Sequence, residues 1–148
     1  MNLGGYRVYQ KSWPLLNYLP LCFGVDIVLD AKYISGLIEQ ELQRITDEGL
    51  AKSIRELLVT PYPVEREWNY EPAGQRFVCW TVLEHQPSKT GIAYCSEGFG
   101  PGYPWGLVSL SGEYMSVGMD CAWFASLEDA MRESMAWDGQ NPEGYEVA

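Results

Sequence analysis

A change of hydrophobic period at two prolines constrains this chain more than any other feature. Before Pro61 and Pro63, apolar residues recur at helical spacing. They fall at Ile34, Leu37, Ile38, Leu42 and Ile45, then at Leu50, Ile54, Leu57 and Leu58. After the prolines, Val64, Trp68 and Tyr70 alternate with Glu65, Glu67, Asn69 and Glu71. That is the period of a half-buried strand with a solvated acidic face. A chain that places helices first and strands afterwards segregates the two rather than interleaving them. The expected fold is therefore α+β, an antiparallel sheet of about five strands with helices packed on one face.

Local signals fill in the elements. Residues 6–9 read as a short strand, and residues 13–29 as an apolar core segment ending in Val25–Leu29, which suits helix or strand. Asp30 is a suitable N-cap for the first stripe. The stripe slips phase near Thr46–Gly49, giving two helices or one kinked at Gly49, and Pro61 and Pro63 end it. Phe77–Leu83 is apolar on both faces and belongs in the middle of a sheet. Glu84–Thr90 is a polar loop and Ile92–Cys95 a short strand. Residues 96–106 are rich in Gly, Pro and aromatic side chains and form a long loop. Leu107–Leu110 and Tyr114–Met119 read as a hairpin. Ser126 caps a last helix, with Glu128 and Asp129 in its first turn and a stripe of Leu127, Met131 and Met135. Gly139 and Pro142 close it, and Tyr145 is expected to order the tail.

At 148 residues, with 47% hydrophobic and 20% charged side chains, the chain suits a single globular domain over 1–148. The N-terminus lacks a basic-then-apolar leader. The uncharged stretch Ser12–Val25 is broken by Pro14 and Pro20 and is too short to span a bilayer. Cys22, Cys79, Cys95 and Cys121 form no close pair in sequence, which fits free buried thiols. These features together give a soluble, cytoplasmic protein.

The charge is uneven. The net is −10, which disfavours a nucleic-acid backbone or an anionic membrane as partner. Residues 1–89 carry nine bases and eleven acids, a net of −2. Residues 90–148 carry one base, Arg132, and nine acids, a net of −8. Net charge speaks first to solubility. Concentrated on one region, it also makes a docking surface for a basic partner protein.

No constellation for catalysis stands out. The lone histidine, His85, lies at the lip of a polar loop, ten residues from Cys95. Cysteine gaps of 57, 16 and 26 residues do not match a zinc site. Glu65, Glu67 and Glu71 are explained by strand alternation. Gly98-Phe99-Gly100-Pro101-Gly102 has the glycines of a phosphate loop, but Pro101 and Pro104 remove donors and Glu97 repels phosphate. The reading therefore calls for no catalytic residue, no metal and no cofactor.

Tyr103 and Trp105 in loop 96–106 remain as aromatic anchors. With Glu97, Glu113, Asp120, Glu128, Asp129 and Glu133 they make the candidate partner-binding set. In small size, acidity and lack of a catalytic constellation, the whole chain resembles immunity or antitoxin-type proteins. Such proteins neutralise basic toxins such as nucleases. The resemblance is one of general character, and no family motif carries it. An alternative is a small-ligand or hydrolase-like pocket beneath loop 96–106, walled by Trp80, Tyr94, Trp105 and Trp123. A homodimer patch built on the same aromatics is a third reading.

Overall fold

A computed structural model describes residues 6–7, 28–68, 74–111 and 122–148. The expected strand Tyr114–Met119, the core segment 13–27 and residues Tyr70 and Glu71 lie outside the described residues. The chain is α+β. Two short strands, β1 (Tyr6–Arg7) and β2 (Val28–Leu29), pair antiparallel. Helices α1 (Ala31–Arg44) and α2 (Glu48–Leu57) follow. Then come β3 (Leu58–Glu67), β4 (Arg76–His85), β5 (Thr90–Tyr94), β6 (Trp105–Ser109) and β7 (Trp123–Phe124), and last α3 (Leu127–Glu133). The five later strands form one antiparallel meander in the order β3-β4-β5-β6-β7. No helix among the described residues is long and apolar enough to cross a membrane.

Helix ends follow local chemistry. The Asp30 carboxylate accepts the Tyr33 N–H at 2.7 Å and starts α1. The break between helices falls at 45–47 rather than at Gly49, because Asp47 accepts the Leu50 N–H at 3.0 Å and starts a new helix. Ser126 caps α3 through the Asp129 N–H. A second donor, Leu127 N–H, is taken at 2.9 Å by Glu41 of α1. The last helix is shorter than its stripe suggests. The Ser134 hydroxyl turns back onto the Met131 carbonyl at 2.7 Å and also receives the Ala136 N–H. The chain leaves the helix there, so Met135 is 72% exposed and outside the core.

Both prolines expected to follow the helices as terminators lie inside β3, which starts directly at Leu58. β3 is an edge strand, so a missing N–H is tolerated. Its register with β4 shifts between Leu58 and Tyr62.

Alternation divides the sheet into two apolar faces. Trp80, Val82, Ile92, Trp105 and Phe124 meet the inward stripes of all three helices, including Ile34, Leu50 and Met131. The opposite face gathers Cys79, Ala93, Cys95, Val108 and Trp123, with Trp68, Phe77 and Phe99 packed against them. This second face is concave. Arg66, 1% exposed, donates to the Ser109 carbonyl at 3.0 Å, although three strand spacings separate β3 from β6. On a flat sheet that is about 14 Å, well beyond an arginine's reach. The sheet must curl around this face for the bond to form.

Candidate functional site

The charge asymmetry resolves around one side chain. Arg132 is the only base in residues 90–148, and its side chain is 1% exposed. It donates to Glu128 at 2.9 Å, to Asp47 at 3.2 Å and to Asn141 at 3.2 Å. Its guanidinium also lies over the rings of Tyr145 and Trp137, 5.4 and 5.9 Å from their centroids. The acceptors come from the N-terminus of α2, from α3 and from the tail, so a single fork ties three parts of the chain together. Tyr145 completes the clasp by donating to Asp129 at 2.8 Å, as expected of the residue ordering the tail. Burial first, and then the Asp129 carboxylate, push the Tyr145 phenol well above its ordinary pKa, so it stays a donor.

The cation is thus turned inward, while acids further along α3 and the tail stay outside. Glu133, Asp138, Glu143 and Glu146 are exposed on α3 and on the tail that this clasp holds against it.

The expected site residues divide accordingly. Glu97 is exposed and Tyr103 is 50% exposed, both in the loop between β5 and β6. Glu133 is exposed on α3. Glu128 is half-buried and engaged by Arg132. Asp129 is 6% exposed and engaged by Tyr145, so it is structural rather than a docking charge. Trp105 is not in the loop. It starts β6, is 2% exposed and stacks edge-on with Tyr94 at 5.1 Å, so it cannot anchor a partner. Glu113 and Asp120 lie outside the described residues.

The aromatic pocket does not assemble. Trp80, Tyr94 and Trp105 face the helices, while Trp123 lies on the concave face. Beneath the loop, Phe99 packs between Trp68 and Trp123, with centroids 5.0 and 6.1 Å away. The loop's own ring therefore fills the space expected for a ligand. Gly98 and Gly100, at φ of +71° and +86°, let the backbone turn to place it.

His85 ends β4, and its Nδ1 lies 2.6 Å from the Ser88 hydroxyl, which also bonds Thr90. This knot closes the 86–89 turn. His85 pairs with Thr90, at the far end of β5 from Cys95, so the two do not form a nucleophile pair.

Sequence reasoning missed Arg132 and Asp47 as partners. Asp47 holds the α2 N-terminus with one oxygen and Arg132 with the other. The Leu50 N–H, and then Arg132, keep its carboxyl below the ordinary 3.8 despite some desolvation. A depressed carboxylate contributes stability above its unfolded pKa, and that contribution is lost as pH falls through the folded value. Asp47→Asn should therefore be less stable than the parent at neutral pH. The gap should close as pH drops below the ordinary 3.8, as read by urea unfolding at a series of pH values.

Comparison with family models, with curated proteins and with solved structures finds no match.

Proposed function

We propose that this chain is a small cytoplasmic interaction protein that binds a basic partner protein through the acidic surface of α3 and the tail, in the manner of an immunity or antitoxin-type protein. The observation that supports this reading is the burial of Arg132. The one base available to residues 90–148 is withdrawn from the surface, leaving Glu133, Asp138, Glu143 and Glu146 exposed with no cation of that stretch among them. Solubility alone would be served by charges of either sign in a mixed surface. A field of one sign raises encounter rate and selects a partner of the other sign. Tyr103, half-exposed on the β5–β6 loop, supplies an aromatic of the kind interfaces favour.

The test begins with affinity capture from cells of the source organism at low salt, followed by titration of the purified captured protein. A basic protein whose affinity falls as salt rises is the expected result. Reversing Glu133, Asp138 and Glu143 to Lys should weaken binding about tenfold or more, mainly through the association rate. Unchanged affinity in that triple variant would remove this face from the interface. Capture of no basic protein would return the acidity to a role in solubility.

A further inference from the structure

We propose that Cys79 and Cys95 are a redox modification site, closing to a reversible intramolecular disulfide across the sheet with a small peroxide as oxidant. Trp80 of β4 stands opposite Tyr94 of β5. The next residues outward, Cys79 and Cys95, are therefore also opposite one another. Strand geometry persists past the end of β5, because the Cys95 N–H donates to the Pro104 carbonyl at 2.8 Å. Both thiols belong to the concave face and pack in one cluster with Ala93, Val108 and Trp123. Residues directly opposed on antiparallel strands hold their Cβ atoms about 4.5–5.5 Å apart. A disulfide needs about 3.5–4.5 Å, so a small approach and two side-chain rotations close the bond.

The environment gives the two sulfurs different roles. Cys79 is fully buried, and its thiol donates to the Phe77 carbonyl at 3.9 Å, with Cys95 in the same cluster. The neighbouring Cys95 sulfur and desolvation raise its pKa and keep it a thiol. The Cys79 thiol and the Glu97 backbone beside Cys95 favour its thiolate and lower its pKa, although burial opposes them. Cys95 is itself only 2% exposed, but it adjoins half-buried Ser96 and exposed Glu97, the side from which a small peroxide reaches it.

The chemistry balances. The Cys95 thiolate attacks one peroxide oxygen and the O–O bond breaks. The departing hydroxide takes up the proton Cys95 released, giving water and a sulfenic acid on Cys95. The Cys79 sulfur then attacks the Cys95 sulfur, the S–O bond breaks, and hydroxide leaves with the Cys79 proton as a second water. Two thiols lose two electrons, and one peroxide gains them.

Treating the full chain with stoichiometric hydrogen peroxide should remove two hydrogens from the intact mass. Digestion without reductant should then yield one linked peptide pair containing Cys79 and Cys95, and dithiothreitol should separate it. Cys79→Ser should stop at the Cys95 sulfenic acid, trapped by dimedone. Oxidation in urea should lose the preference for this pair. Differential alkylation of the unaltered protein gives the same answer without any variant. If Cys79 and Cys95 both remain alkylatable after peroxide treatment, or if the link forms through Cys22 or Cys121, the proposal fails.

Discussion

Arg132→Ala is expected to lower the unfolding free energy by about 2–4 kcal/mol, toward the lower part of the range for breaking buried ion pairs because both carboxylate partners keep some solvent. The substitution removes donors to Glu128, Asp47 and Asn141 together, and strips the cation from two aromatic rings. Asp47 is left with the helix cap alone. Glu128 and Asp129 then share the first turn of α3 with no cation behind them. The loss is therefore larger than one surface ion pair, worth at most about 1 kcal/mol. Arg132→Lys separates charge from geometry. A lysine reaches one acceptor but cannot span three with a planar fork, so it should recover part of the stability. Urea midpoints at constant slope measure both variants. The tail gives a second readout. With Asn141 left only with the Trp137 N–H and Tyr145 only with Asp129, residues 138–148 should become the first site of proteolytic cleavage, while the sheet stays protected. Wild-type stability in Arg132→Ala would mean that the clasp is incidental, and the acidic surface would then lack the scaffold proposed for it.

That clasp also shows why part of this protein was hidden in its sequence. The helices were legible because their information is local. Ile34, Ile38 and Leu42 recur on one face, and Asp30 and Ser126 lie beside the donors they satisfy. β4 was legible because an apolar run fits only a position buried on both faces. Arg132 pairs with a residue 85 positions away, and Arg66 with one 43 away. Neither spacing carries a periodic signal: alternation puts Arg66 on the inward side of its strand with Val64 and Trp68, but says nothing of the carbonyl it reaches on β6. The aromatic residues fail for a related reason. Alternation tells which neighbours share a face within one strand, but not how that face aligns with the next strand. Trp105 and Trp123 therefore look equivalent in sequence and lie on opposite sides of the sheet. The cysteine pair left a usable trace. Cys79 and Cys95 lie nearly equidistant from the 86–89 turn, and the register shift between Thr81 and Leu83 accounts for the remaining offset.

Gly106→Val is expected to cost more than most single substitutions in the sheet, at or above the upper end of the roughly 1–3 kcal/mol usual for overpacking. Gly106 pairs with Trp123 across β6 and β7, and the indole lies over its backbone. A Cβ added there would stand 2.5 Å from three atoms of that ring, a distance that real contacts do not reach. The ring has little room to retreat. Trp123 is 5% exposed and has Phe99 packed against it. Displacing it pushes Phe99, and with it the loop that carries Glu97 and Tyr103. Even Gly106→Ala should therefore shift both the urea midpoint and the tryptophan emission. Gly36 is the control: it lies on the exposed side of α1, and a methyl group added there would meet nothing within 4 Å. There, Gly→Ala should stabilise by about 0.5–1 kcal/mol through helix propensity. The sharpest check is a double-mutant cycle. If the cost of Gly106→Ala comes from the indole, Trp123→Leu should absorb much of it, and the two substitutions should be strongly non-additive. Additive costs would place the constraint in the backbone of β6, and Trp123 would no longer explain why a glycine stands in the middle of a buried strand.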